Sequence, residues 1–199
     1  MSIIGAPTMK ACKESDNWTK ITFKPDLARF GMEVLDDDII DLMRRRVYDM
    51  AGVLGKQIKV TWNGEKLPVG TFEDYCKLYL GAEQHVYQRL SDRWEICVAP
   101  TDEQGFQQVS FANAISTTNG GKHVDYIADQ ICKFLVADIA KKHKKMVVKP
   151  FMVKNHMRIF VNAKIDNPTF DSQTKDTLTL KISSFGSKCE LPDALMKKI

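Results

Sequence analysis

Apolar positions along this chain repeat at two different periods, and the switches between them mark out its elements. Ile39, Met43, Val47 and Met50 recur at helical spacing, with Ile40 and Ala51 widening the stripe, and they predict a helix over Asp36–Ala51. Asp36, Asp37 and Asp38 stand where the helix dipole favours negative charge, and Gly52 offers a C-terminal stop. Phe72, Tyr75, Cys76 and Tyr79 share one side of a short helix over Phe72–Leu80. Val124, Ile127, Ala128, Ile131, Leu135 and Ile139 form the buried stripe of a longer one that ends near Lys142. Between these, Trp18–Phe23 alternates in the manner of a strand and stops at Pro25. Ile58–Trp62 and Glu65–Leu67 flank Asn63-Gly64, a pair that tolerates the positive φ of a tight hairpin. Trp94–Ala99 and Gln107–Phe111 read as strands separated by the polar turn Thr101–Gly105, and Met157–Ile165 is the strongest strand of all. Pro192–Ile199 has the start of a further helix, with proline at a tolerated early position. Strands interspersed with helices predict an α+β domain, its helices packed on a mainly antiparallel sheet.

Composition narrows the class. The 199 residues are 44% hydrophobic and 27% charged, enough for a real core in one domain or two small ones. A net charge of +4 is too mild to imply nucleic acid unless the charge is clustered. The 5 cysteines are scattered and lack CxxC spacing, which reads as reduced thiols of an intracellular protein instead of a zinc site or disulfide frame. No run approaches the roughly 18 apolar residues of a membrane span, and Met1–Lys13 lacks a signal-peptide core. Asn17-Trp18-Thr19 fits a glycosylation sequon, which without secretion is read as chance.

Candidate chemistry lies in four places. Asp166-Asn167-Pro168 turns the chain out of the strongest strand into a loop carrying Gln173 and Lys175. A neutral amide beside an ammonium suits a phosphate approached from outside, and equally suits an ordinary solvated turn. Arg44-Arg45-Arg46 points three ways around the first helix, towards surface pairs with Asp41 and Asp49 or towards a phosphate. Gly120-Gly121 at a helix start could cradle an anion on free N–H groups or serve as a flexible turn with a polar cap. His123 beside it reads as a structural hydrogen-bonder. Lys141, Lys142, Lys144 and Lys145 cluster where the long helix ends, complementing its dipole or meeting the phosphates of a nucleic acid. There is no GxxxxGK[ST] loop, no GxGxxG between strand and helix, and no HExxH.

Longer collinear stretches add a resemblance. Asp92-Arg93-Trp94-Glu95-Ile96-Cys97, Gly105 through Asn113, and Gly120-Gly121-Lys122-His123 belong to it. So do Val153 through His156, Phe160-Val161-Asn162-Ala163, Phe170-Asp171-Ser172-Gln173-Thr174-Lys175 and Ser184-Phe185-Gly186-Ser187-Lys188-Cys189. Together they resemble eukaryotic DNA topoisomerase II, more narrowly the transducer domain that follows its ATP-binding domain. The resemblance implies a ribosomal-protein-like fold with a left-handed βαβ crossover. It implies that Gln173 and Lys175 reach into the neighbouring ATP-binding domain and touch the ATP γ-phosphate. It also implies that a lysine-rich loop contacts duplex DNA without reading sequence and couples it to the ATPase rate. Lys141, Lys142 and Lys144 fall on that pattern with Lys145 beside them, whereas Ala140 replaces a lysine seen in some relatives. ATP and Mg2+ are expected in the parent enzyme, a nuclear homodimer without membrane contact, and neither is expected on this chain alone. The implied organisation is a linker over 1–17, a transducer domain over 18–191 and a truncated helix from 192 to 199, with Met1 an internal methionine. The nucleotide pocket and the DNA-cleaving tyrosine would lie elsewhere, so no catalytic residue is expected here and the chain alone should turn over nothing. A free-standing basic module that binds nucleic acid without ATP is the alternative. A mismatch-repair relative of the same ATPase superfamily is argued against by Phe160-Val161-Asn162-Ala163 and Ser184-Phe185-Gly186-Ser187.

Overall fold

A computed structural model describes residues 5–15, 17–102 and 105–199. Parts of two expectations, the linker over 1–17 and the turn over 101–105, therefore lie outside the described residues. Two compact units divide between Ile39 and Ile40.

In the first unit the only helical turn among the described residues ahead of Asp37 is a 3-10 turn, Leu27–Phe30. The strand expected over Trp18–Phe23 does not form: Trp18, Ile21 and Phe23 are 75%, 83% and 74% exposed. An alternating pattern makes a strand only when a neighbour satisfies its backbone, and none pairs with this segment among the described residues.

The second unit contains most of helix α1 (Asp37–Leu54), then β1 (Thr61–Trp62), β2 (Glu65–Lys66), α2 (Phe72–Leu80), β3 (Val86–Ser91), β4 (Trp94–Pro100) and β5 (Gln107–Ala112). They are followed by β6 (Ile115–Ser116), α3 (Lys122–Lys142), α4 (Pro150–Lys154), β7 (Met157–Ala163) and α5 (Asp193–Met196). Here β1 and β2 form the expected hairpin, Asn63 and Gly64 taking φ of 50° and 84°. The other strands make one sheet in the order β3-β4-β7-β5-β6. Strands β4 and β5, adjacent in sequence, are not neighbours, because β7 lies between them, antiparallel to β4 and parallel to β5. A parallel neighbour needs a long crossover, and the chain from β5 through α3 to β7 supplies it. The sheet is thus α+β in type and mainly antiparallel, with one parallel pair.

Both faces are covered. Trp94, Ile96 and Val98 of β4, with Ile159 and Val161 of β7, pack against Val124, Ile127 and Ile131 of α3. From the opposite face Cys97, Phe111 and Phe160 meet Ala51 of α1 and Phe72, Tyr75 and Cys76 of α2. Burial on both sides explains why β4 and β7 are apolar nearly throughout instead of alternating. Each of Ile159, Phe160 and Val161 is fully buried and contributes about 1.5–3 kcal/mol.

Helix α1 departs from its expected stripe. Asp49, Ala51 and Gly52 are its buried residues, while Met43 and Met50 are partly exposed. Gly52 is no stop: the helix continues to Leu54, and a Cβ at Gly52 would stand 2.6 Å from Tyr75 Cβ. Two of the three arginines form the expected pairs, Arg44 with Asp41 at the surface at 2.9 Å and Arg46 with Asp49, whose carboxylate is buried, at 3.2 Å.

Candidate functional site

The loop carrying Gln173 and Lys175 leaves the end of β7, where two side chains hold its base. Asn113, in the tight β5–β6 turn, donates from Nδ2 to the Ile165 carbonyl and accepts from Ile165 N–H at Oδ1, both at 2.8 Å. Arg93 pairs with Asp166 at 2.6 Å and donates to the carbonyls of Lys164, Phe185 and Gly186. Guanidinium geometry allows such a fork to tie several chain segments at once.

Beyond this base the chain folds back on itself. Thr179 N–H donates to the Thr169 carbonyl at 2.9 Å, and Asp171 N–H to the Thr177 carbonyl at 3.2 Å. The Asp171 carboxylate accepts from Thr177 N–H and Oγ1–H, and the Thr177 hydroxyl is the main reason its pKa lies below the usual range. Asp176 is lowered as well, chiefly by the Thr174 hydroxyl and then by that of Thr118. Both loop carboxylates are therefore turned onto hydroxyls. At the tip Gln173 is exposed, and Lys175 adopts φ of 62° with its ammonium 5.9 Å from the centre of the Phe170 ring. No ion pair holds Lys175 among the described residues.

The return arm of the loop lies on the Gly-Gly turn. Leu178 N–H donates to the Gly120 carbonyl and Lys122 N–H to the Leu178 carbonyl, each at 3.0 Å. Asn119 N–H donates to the Asp176 carbonyl at 3.0 Å, and Thr118 Oγ1–H to the Asp176 carboxylate at 2.7 Å. Of the two readings open for this turn, the structure favours the structural one: the loop backbone occupies the N–H of Lys122. Gly121 permits this, since its φ is 133° and a Cβ there would lie 2.3 Å from the Leu178 carbonyl oxygen.

Behind the turn His123 is fully buried, its Nε2 3.1 Å from Thr117 Oγ1. The Thr117 hydroxyl also reaches the Ser110 carbonyl at 3.0 Å and Ser110 Oγ at 2.6 Å, so the ring closes a buried set of hydroxyl and carbonyl groups. Burial lowers the His123 pKa to about 4, in keeping with a structural role.

The lysines are elsewhere. Lys141 and Lys142 close the last turn of α3, while Lys144 and Lys145 follow in an exposed turn. Lys142 pairs with Asp138 at 2.7 Å on its own helix. The 21 residues of α3 put about 30 Å between this cluster and the Gly-Gly turn, so the two predicted groups do not form one site. Sequence reading missed Thr118, Asp176 and Arg93 as organisers. Hydroxyl and carboxylate residues around the Gln-Thr-Lys run were the available signal, but their partners are distant in the chain.

A family model described as DNA gyrase B matches residues 62–198. The chain belongs to the DNA gyrase B family. Within the family it is 52% identical over 202 residues to a DNA topoisomerase 2 of Arabidopsis thaliana, covering 97% of this chain and 14% of that protein. The fold is similar to the ATPase region of Saccharomyces cerevisiae topoisomerase II, with TM-score 0.80 and 48% identity over 88% of this chain and 45% of that one. It is also similar to the ATPase and transducer domains of Balamuthia mandrillaris DNA topoisomerase II, with TM-score 0.83 and 46% identity over 87% and 44% of the two chains. The resemblance to the ATPase and transducer region of eukaryotic type II topoisomerases thus holds in sequence and in fold. The chain spans about a seventh of its Arabidopsis relative, the 14% given above.

Proposed function

We propose that this chain is the transducer segment of an ATP-dependent type II DNA topoisomerase, with Gln173 and Lys175 sensing the ATP γ-phosphate. The observation that carries this reading is the state of Lys175. A lysine at φ of 62° is held in a left-handed conformation that costs about 1–2 kcal/mol. Its cation has no carboxylate partner among the described residues. Strain of this kind is kept where the surroundings over-determine it, commonly at ligand clamps. The donor set, an ammonium with an amide two residues away, fits a terminal phosphate. ATP, when bound by a preceding domain of the same chain, supplies the triphosphate that these donors read. Its Mg2+ is assigned to that domain with the triphosphate it accompanies.

The parent enzyme is a nuclear homodimer in this reading, acting on duplex DNA whose backbone meets Lys141, Lys142, Lys144 and Lys145. One charged hydrogen bond is worth roughly 1.5–3 kcal/mol. Shifting an equilibrium from 1:99 to 99:1 takes about 5.5 kcal/mol. Lys175 therefore acts together with Gln173, other nucleotide contacts and dimer closure. In the full-length enzyme Lys175→Ala is expected to leave ATP affinity nearly intact and slow hydrolysis and strand passage by about ten- to a hundredfold, the worth of one such bond. Steady-state ATPase and relaxation assays measure this, and unchanged turnover would remove the role.

A further inference from the structure

We infer that the Thr117–Gly121 turn is a latch joining the Gln-Thr-Lys loop to α3, so that loop and helix move as one lever, and that Thr118 and Asp176 are its positioning residues. This rests on the function proposed above and names the route by which DNA regulates that site. The loop touches the turn through two backbone hydrogen bonds and the Thr118–Asp176 bond, and a third backbone bond joins it to Lys122, the first residue of α3. The turn in turn is fixed from behind. Gln108 of β5 donates to the carbonyls of Thr117 and Thr118, and Ser110 and Thr117 bond each other at 2.6 Å. Leu178, between the seam's two backbone bonds, buries its side chain in the core that α3 shares with the sheet.

A seam so tightly closed has no room to slide. Gly121 meets the Leu178 backbone where any Cβ would collide, and a packed junction of this kind moves as a body instead of deforming continuously. Helix α3 runs without interruption from that seam to Lys141 and Lys142. A phosphate backbone that engages the lysines pulls on one end of α3, and Lys175 is carried at the other. The loop keeps its own closure through Asp171 and Thr177. Opening the latch should therefore spare the shape of the tip and cut only the transmission.

The test uses the full-length enzyme, with ATP hydrolysis measured with and without linear duplex DNA. Thr118→Val, which removes the donor to Asp176, is expected to lower the stimulation by DNA about three- to tenfold, the range set by one hydrogen bond. The DNA affinity should stay within about twofold, since the lysine cluster stands about 30 Å from that bond, and the stimulation is read as the ratio of the rates with and without DNA. Thr118→Ser should restore the stimulation. Gly121→Ala should lose more of it and speed amide exchange at Lys122 and Leu178. If Thr118→Val and Gly121→Ala keep the wild-type ratio while Lys175→Ala slows hydrolysis, the latch is wrong and the phosphate-sensing role stands. If Lys175→Ala hydrolyses ATP at the wild-type rate, the role itself fails and the latch falls with it.

Discussion

At Lys175 and His123 the same small region uses two cationic residue types in opposite ways. Lys175 is held on an exposed loop with its charge available, in a backbone conformation that a glycine would occupy more comfortably. His123 is buried, with Nδ1 lacking a partner among the described residues and Nε2 3.1 Å from the Thr117 hydroxyl. Protonating it would bury a charge, so its pKa is lowered by burial to about 4. The unfolded chain protonates this ring near pH 6.5, and the folded one does not until about pH 4. Between those values the unfolded state binds more protons, and stability rises with pH. Taking the unfolded value and the folded one, the wild-type chain should lose about 2 kcal/mol between pH 7 and pH 5 from this group alone. Urea unfolding of wild type and His123→Gln at both pH values isolates it. The variant should be less stable at pH 7 yet fall less on acidification, and parallel losses would show that His123 is charged in the fold.

Among the elements, α1 docks through chemistry that its apolar period does not announce. Asp49 is buried and accepts from the Tyr75 hydroxyl at 2.7 Å and from Arg46 at 3.2 Å. Burial first, and then Tyr79 and Asp49, push the Tyr75 phenol well above its ordinary pKa, so it stays a donor. Gly52 lets the Tyr75 ring lie directly on the helix backbone. Two effects therefore oppose each other in Gly52→Ala. Helix propensity favours alanine by about 1 kcal/mol, while overpacking a close contact costs about 1–3 kcal/mol. The obstructing atom, Tyr75 Cβ at 2.6 Å, sits at the root of its side chain and cannot swing aside. The expected result is a net loss on the order of 1–2 kcal/mol by denaturant unfolding. A stabilised variant would mean that α1 and α2 separate easily.

For the molecule as a whole, charge matters through its placement. A net +4 would bind nucleic acid weakly, but Lys141, Lys142, Lys144 and Lys145 lie together at one end of α3. On the proposed reading, four phosphates neutralised give a slope of log affinity against log salt of about −3.6, and each lysine removed makes it shallower by about 0.9. Lys142 is engaged by Asp138 and must leave that pair to reach DNA. Lys142→Ala should accordingly cost less affinity than Lys141→Ala or Lys144→Ala. Anisotropy titrations of a labelled duplex between about 50 and 200 mM salt measure both quantities. Equal losses at all of these positions, or a slope that no lysine changes, would count against the cluster as a DNA surface.

Local periodicity was enough for what depends on neighbours in the chain. The span of α2, the α3 stripe from Val124 to Ile131, the Asn63-Gly64 hairpin and the turn leaving β7 all follow from side chains a few residues apart, and all are found. The loop was legible as an exposed turn carrying an amide and an ammonium. Tertiary structure alone decided which patterns found partners. Trp18–Phe23 has strand alternation without a neighbour, Gly52 lies inside a helix because Tyr75 needs the space, and β7 enters between two strands that precede it by some fifty residues or more. It also decided that the Gly-Gly turn packs against the loop, through a hydroxyl and a carboxylate 58 residues apart. A period is set by the geometry of one segment, whereas a partner is set by which surfaces the whole chain can bury together, and that no single stretch contains.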